Sequence, residues 1–217
     1  MPRIVDLSLP LRDGGPSYPS DPPLRIQPYR TFAAGGCNVS IVSMGTHQGT
    51  HLDAPWHFIE GGKPLDRIPL TVFYGPAVMV DLAPGGELAA KTPITPEMLA
   101  QHEAAFVSGG RVILRTGWYA RFGRPEYFSD LPSLTAEAAR WIADKRIALL
   151  GLDMPTPSKI AGRECHHTLL GPGAEIVIVE GLTNLHELAR DFIFAGFPLN
   201  FVGLDGSPIR AVGVIPE

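Results

Sequence analysis

Short apolar runs of strand length punctuate the chain. They fall at residues 4–9, 39–44, 77–82, 111–116, 147–152, 175–180, 197–203 and 210–215. Several, such as Ala77-Val-Met-Val-Asp-Leu82, are nearly continuous, the pattern of a strand covered on both faces. Between them the period changes. Thr95 followed by Pro96 reads as the cap and first position of a helix. Thr135 caps a second, running to about Lys145, with Ala139 and Ile142 among its apolar positions. Residues 183–190 read as a short third helix. Strand and helix alternating in this way predict an α/β domain with a mixed sheet. The first third breaks the rhythm with a Pro- and Gly-rich loop over 14–23, which includes Tyr18-Pro-Ser-Asp-Pro-Pro. Such loops hold a fixed shape without regular hydrogen bonding, and long irregular loops often carry function.

Composition narrows the picture. No repeat or linker divides the 217 residues, so 1–217 is expected to form one domain. A net charge of −4 without a basic run excludes a nucleic-acid partner. No apolar stretch is long enough to span a bilayer, and Asp6 interrupts the short apolar run near the start, so neither a membrane span nor a secretory signal is expected. Cys37 and Cys165 form no CxxC and no disulfide framework. A cytoplasmic protein is expected.

The chemistry concentrates in Gly45-Thr-His-Gln-Gly-Thr-His-Leu-Asp-Ala-Pro-Trp-His-Phe58. Its glycines, threonines and Pro55 disfavour a helix. In an extended chain the side-chain period is two. His47, His51 and Asp53 would then share a face, with Gly45 and Gly49 leaving room beside them. Pro55 ends the strand and leaves His57 close by. Two imidazoles and a carboxylate suit Zn²⁺, and also Mn²⁺ or Fe²⁺, and three protein ligands leave a position open. A second cluster, Cys165-His-His-Thr-Leu-Leu170, offers His166 or His167. Glu180, after Ile-Val-Ile-Val, is an acid too costly to bury for packing alone. Cys165 is not read as a nucleophile, because adjacent residues of a strand face opposite ways. His102 and His186 are expected to be solvated.

His47-Gln-Gly-Thr-His-Leu-Asp-Ala-Pro-Trp-His57 resembles the HxGTHxDxPxH signature of the metal-dependent cyclase/hydrolase superfamily, which includes bacterial kynurenine formamidases and isatin hydrolases. The resemblance continues through Val5-Asp-Leu-Ser, Tyr18-Pro-Ser-Asp, Arg115-Thr-Gly-Trp118, Leu152-Asp-Met-Pro-Thr-Pro-Ser158, His166-His-Thr-Leu-Leu-Gly171, Glu180-Gly-Leu-Thr-Asn-Leu185 and Gly206-Ser-Pro-Ile-Arg-Ala211. It implies a swivelling β/β/α fold in dimers or tetramers. It implies His47 and His51 as ligands of a first metal, Asp53 and Glu180 as bridging carboxylates, and His166 as a second-metal ligand, with His167 the alternative. His57 becomes the general acid/base. Two departures bear on substrate: Tyr18 stands where kynurenine formamidases usually carry Trp, and Lys159 lies where a further acid is frequent.

One or two Zn²⁺ ions, with Mn²⁺ as alternative, would turn bound water into hydroxide for attack on a carbonyl carbon. His57 would protonate the leaving group. Tyr18 and Trp56, with Trp118, Tyr119 and Phe122 as further candidates, would wall a planar small-molecule substrate. The sharpest expectation is arylformamidase, hydrolysing N-formylkynurenine in tryptophan catabolism. An isatin-type lactam hydrolase is the alternative, and a non-catalytic metal-binding assembly protein is the reading from another class.

Overall fold

In the computed structural model of the chain, residues 1–216 are described. The first third contributes β1 (Arg3–Asp6), β2 (Arg25–Arg30), α1 (Phe32–Gly35), β3 (Val39–Ser43) and β4 (His51–Asp53). The middle contributes β5 (Tyr74–Asp81), β6 (Pro93–Ile94), α2 (Pro96–Ala100), β7 (Arg111–Arg115), β8 (Ser133–Leu134), α3 (Ala136–Asp144) and β9 (Leu149–Leu152). The chain ends with α4 (Gly162–Leu170), β10 (Val177–Glu180), β11 (Asp191–Ala195), β12 (Gly206–Pro208) and β13 (Val212–Ile215).

Nine strands form one curled mixed sheet in the order β1-β13-β11-β5-β7-β9-β10-β4-β12. The nearly continuous apolar strands lie in the middle: β5, β7, β9 and β10 run parallel. Antiparallel strands flank them on both sides. The central strands are buried on both faces. Val112, Leu114, Leu150, Leu152 and Ile178 face a core shared with Leu99, Ile142 and Leu169 of α2, α3 and α4. Ile113, Leu149, Val177 and Val179 face a second core with Leu52, Phe73, Phe192 and Phe194. This two-sided burial explains why these runs show little alternation. The first strand pairs with the last, Arg3 opposite Ile215. The Thr135 hydroxyl caps α3 by accepting from the Ala138 N–H at 3.1 Å, as its sequence predicts. Among the described residues no helix is long and apolar enough to cross a membrane.

Several expectations need correction. Residues 197–203 are not a strand; the strand is β11, just upstream. Residues 183–190 contain only a single 3₁₀ turn, Leu185–Glu187, because Asn184 takes a left-handed φ of 55° and Leu188 is already extended. The 162–170 segment is a helix, not a strand. Its buried Cys165, His166, Leu169 and Leu170 follow a helical period. β2 was not legible, since its sequence, Arg-Ile-Gln-Pro-Tyr-Arg, holds few apolar positions. Among the described residues it pairs only with β3, and this ribbon lies almost wholly exposed.

β9 and β10 lie side by side, β9 running into Asp153 just past its end and β10 ending at Glu180, and β4 runs antiparallel along β10, bringing Asp53 opposite Ile178 and His51 opposite Glu180. The carboxyl ends of parallel strands are where sites in such sheets collect.

Candidate metal centre

The stretch from His47 to His57 is not one extended strand. Gly49 adopts φ +65° and turns the chain between His47 and His51. A left-handed φ suits glycine, so Gly49 serves the turn and not the room beside a ligand. Thr50 then pins the strand, donating from its hydroxyl to Gly181 O at 2.6 Å and accepting from the Leu9 N–H at 2.8 Å. β4 spans only His51–Asp53, and Pro55 opens a 3₁₀ turn that carries His57. His47, His51 and Asp53 still converge, through the turn and not through strand parity.

The imidazole orientations are fixed from behind. His51 Nδ1–H donates to Gly49 O at 2.9 Å, and His166 Nδ1–H donates to Gly162 O at 2.7 Å within α4. Each ring therefore presents the lone pair of Nε2 to the cluster. His51 Nε2 stands 3.3 Å from Asp53 Oδ1 and 3.4 Å from Glu180 Oε2. His166 Nε2 stands 3.4 Å from Glu180 Oε1 and 3.8 Å from Asp53 Oδ2. Each carboxylate thus turns one oxygen toward His51 and the other toward His166. His47 Nδ1 lies 2.7 Å from Asp53 Oδ1. His167, the next residue along the helix, is exposed.

Five buried side-chain atoms lack a hydrogen-bond partner among the described residues: Arg115 Nε, Tyr127 Oη and three atoms of this cluster, His51 Nε2, Asp53 Oδ2 and Glu180 Oε1. Unpartnered buried polar atoms are costly. Here the two orphaned carboxylate oxygens face His166 Nε2, and His51 Nε2 faces the other oxygen of each carboxylate, so two imidazole nitrogens sit among hard carboxylate oxygens. That donor set fits a divalent cation of the Zn²⁺ or Mn²⁺ type. His47, His51 and Asp53 can bring one ligand atom each within 4.8 Å of one another, as can Asp53, His57 and His166.

Asp205 is the residue that sequence reasoning missed. It precedes Gly206 on the way into β12, beside β4. Its carboxylate lies 2.8 Å from His47 Nε2 and 3.5 Å from His57 Nδ1, and it accepts from the Thr46 hydroxyl at 3.1 Å. Gly206 permits this approach: a Cβ there would lie 2.7 Å from His47 Cε1. An acid just before a Gly-Ser-Pro segment was the only signal, and nothing local links it to residue 47.

Charge is strongly coupled here. Burial opposes protonation of His47, but the Asp53 and Asp205 carboxylates outweigh it and raise its pKa to about 9. Burial likewise opposes protonation of His51 and His166, and Asp53 with Glu180 for His51, and Glu180 foremost for His166, reverse the direction. Burial would raise the Asp53 pKa, yet His47 and His51 hold it well below the usual carboxylate range. Hydrogen bonding to His47 does the same for Asp205. The site is a nest of negative charge neutralised by whatever cations are available, proton or metal.

A cavity of about 320 Å³ opens over the cluster. Tyr18, Phe58, Pro155, Thr156 and Ser158 wall it, with His47, His51, His57, His166 and Glu180 at its floor. Phe58 stacks on His166 at 4.2 Å between centroids, and His57 stacks on His47 at 3.8 Å. The expected aromatic wall is only partly present. Trp56 is 44% exposed and does not line the cavity, because the turn at Pro55 sends His57 inward and Trp56 outward. Trp118 is buried core, and Tyr119 is occupied with the exposed His186 at 2.8 Å. Phe122 packs against Tyr127. Cys165 points into the core, where burial pushes its thiol up to about 11.

Comparison with known proteins places this geometry. Residues 5–159 match the family model Cyclase, described as "Putative cyclase". The chain is 31% identical over 213 residues to a kynurenine formamidase of Bacillus cereus, covering 96% of this chain and 95% of that one. It superposes on isatin hydrolase A from Labrenzia aggregata, bound to benzyl benzoate, with a TM-score of 0.87 and 26% identity, covering 100% of this chain and 94% of that one. A structure described as a predicted metal-dependent hydrolase from Bacillus stearothermophilus superposes with a TM-score of 0.81 and 27% identity, covering 99% and 98%.

Proposed function

This chain belongs to the cyclase family, and from that premise we propose that it is a metal-dependent hydrolase of non-peptide C–N bonds whose substrate is an aryl formamide, N-formylkynurenine. The observation that carries the reading is the set of orphaned buried atoms, His51 Nε2, Asp53 Oδ2 and Glu180 Oε1, gathered under an open cavity. A closed storage site would have no use for that cavity or for a further imidazole on its wall. The kynurenine formamidase relatives support the formamide, and a 320 Å³ cavity suits a molecule with one aromatic ring.

His47, His51 and Asp53 would hold one ion, and His166 with Glu180 would hold a second. Zn²⁺ is the first choice and Mn²⁺ the alternative. When bound, such an ion supplies Lewis acidity toward the carbonyl oxygen and a water of lowered pKa. His57 is the proton carrier. Asp205 faces its Nδ1, which leaves Nε2 to deliver a proton to the departing amine. Tyr18 lines the substrate side, its hydroxyl accepting from Lys159 Nζ at 2.9 Å.

Residues 1–217 act as one catalytic domain, a reading supported by the pairing of β1 with β13. The exposed apolar side chains of the β2–β3 arm, Tyr29, Phe32 and Val42, support a homodimer or higher homo-oligomer; a monomeric mass by light scattering would remove that part. The free Cys37 and Cys165 support a cytoplasmic setting.

The test is turnover of N-formylkynurenine by metal-loaded protein, followed by its absorbance. His57→Ala is expected to lower kcat by about 10²- to 10⁴-fold while metal content, measured by elemental analysis, stays at the wild-type value. A loaded wild-type enzyme that ignores this substrate but opens isatin would replace the formamide by a lactam. Inertness toward both would favour a non-catalytic metal-binding protein.

A further inference from the structure

The cavity wall carries two charges that the hydrolytic chemistry does not use. Apart from Glu180 and the imidazoles of the floor, the charged side chains lining it are Asp21 and Arg163. Asp21 comes from the Pro-rich loop, and Arg163 from the first turn of α4. Opposite charges sharing so small a space would ordinarily pair. Among the described residues these do not, with each other or with any other ion: the Asp21 carboxylate accepts only from the adjacent Ser20 hydroxyl at 3.3 Å, and the Arg163 guanidinium has no partner. The nearby Lys159 is already engaged, its Nζ on the Tyr18 hydroxyl and 5.1 Å over the Tyr18 ring. An exposed arginine alone would be unremarkable. An uncommitted cation and an uncommitted anion on the wall of the same catalytic cavity are a different matter.

We propose that Arg163 and Asp21 determine specificity by reading the zwitterionic head of an α-amino acid substrate, Arg163 taking the carboxylate and Asp21 the ammonium. The proposal rests on the arylformamidase reading and deepens it. The planar guanidinium fork matches a carboxylate bidentately. The two wall charges sum to zero, as do those of the head group they would bind. A neutral lactam or simple formanilide filling the cavity would strip water from both groups and return no partner, so the same residues act against such substrates. This separates a formylated aryl amino acid from an isatin-type ring.

The experiment compares N-formyl-L-kynurenine with 2-formamidoacetophenone, which keeps the aryl formamide and ketone but lacks the amino acid. Wild-type enzyme is expected to favour the first in kcat/KM. In Arg163→Ala that preference should fall by about 10- to 100-fold, mainly through KM, the loss expected for a charge-assisted hydrogen bond. Arg163→Lys should recover part of it, and Asp21→Asn should cost less. Equal effects on both substrates, or none, would overturn the assignment. If wild-type enzyme cleaves neither formamide, the arylformamidase reading fails separately, and calorimetric binding of L-kynurenine against 2-aminoacetophenone decides the recognition. Tighter binding of the amino acid, lost in Arg163→Ala, upholds it, and equal or absent binding overturns it.

Discussion

Asp53 and Asp153 are both buried acids at the end of a strand, and the fold treats them in opposite ways. Asp153 sits where four hydrogen bonds meet it: the Thr116 N–H reaches both its oxygens at 3.0 and 3.1 Å, the Gly117 N–H reaches Oδ2 at 2.8 Å, and the Thr116 hydroxyl reaches Oδ1 at 2.6 Å. Both oxygens are satisfied. Asp53 keeps Oδ2 without a partner, facing His166. Their proton affinities diverge accordingly. Burial raises Asp153 to about 6 despite those hydrogen bonds, whereas imidazoles hold Asp53 well below the usual carboxylate range. Burial of a carboxylate does not by itself mark a metal site. An unsatisfied oxygen aimed at an imidazole is the feature that fits one. The Arg115-Thr-Gly-Trp118 segment thus belongs to the frame: Arg115 ties Asp81 and the Ala83 and Gly86 carbonyls, while Thr116 and Gly117 hold Asp153.

The sharpest way to break the contrast is to remove Asp53. Asp53→Ala is expected to abolish metal binding and lower kcat/KM by at least about 10³-fold, since it takes away the carboxylate that faces His47, His51 and His166 together. Chelation should lower the Tm of wild-type protein, by the linkage that makes a tightly held ligand worth about 4 kcal/mol at a thousand times its Kd. It should leave the Tm of Asp53→Ala unmoved. A variant that still holds stoichiometric metal would show that Asp53 is no ligand.

A smaller effect is expected one step out. Asp205 grips the far nitrogen of His47 and faces His57. Asp205→Asn keeps the shape and loses the charge. Metal affinity, measured by competition with a chromogenic chelator, should fall by about 10- to 100-fold, the usual cost of a lost outer partner. Unchanged affinity with a reduced kcat would assign Asp205 to His57 alone.

How far this was legible in the sequence follows from the range of the interactions. The site candidates were visible because one short stretch, His47 to His57, carries three ligand candidates and the acid/base candidate His57, and the central strands because burial on both faces leaves a long apolar run. Asp205 was invisible because its partners lie about 150 residues away and are brought to it only by the β12–β4 pairing. Which of His166 and His167 faces the cluster could not be settled from residue types. It depends on α4 being a helix, which turns His166 inward and leaves His167 in solvent. Trp56 and His57 are neighbours sent to opposite sides by a 3₁₀ turn whose geometry no pattern of apolar positions encodes. Arg163 carried no motif at all, and Asp21 entered only as the last residue of Tyr18-Pro-Ser-Asp, with no role attached to it.

The smallest effect falls on the other side of the comparison. Because the folded-state pKa of Asp153 lies above its ordinary value of 3.8, folded protein holds this proton more tightly than unfolded protein. Its contribution to stability is therefore full below about pH 4 and is lost as pH rises to about 6, after which it stays constant. A shift of about two units caps that loss at about 3 kcal/mol. Asp153→Asn cannot ionise, so the stability difference between wild-type and Asp153→Asn protein should slope across pH 4 to 6 and flatten above it. Urea denaturation at half-unit steps reads this, and taking the difference cancels the other titrating groups. Parallel curves would show that Asp153 is not the raised acid. Metal content should remain at the wild-type level, because Asp153 spends its oxygens on Thr116 and Gly117. If Asp153→Asn lost its metal as Asp53→Ala is expected to, the distinction between a satisfied carboxylate and an unsatisfied one would no longer separate frame from site.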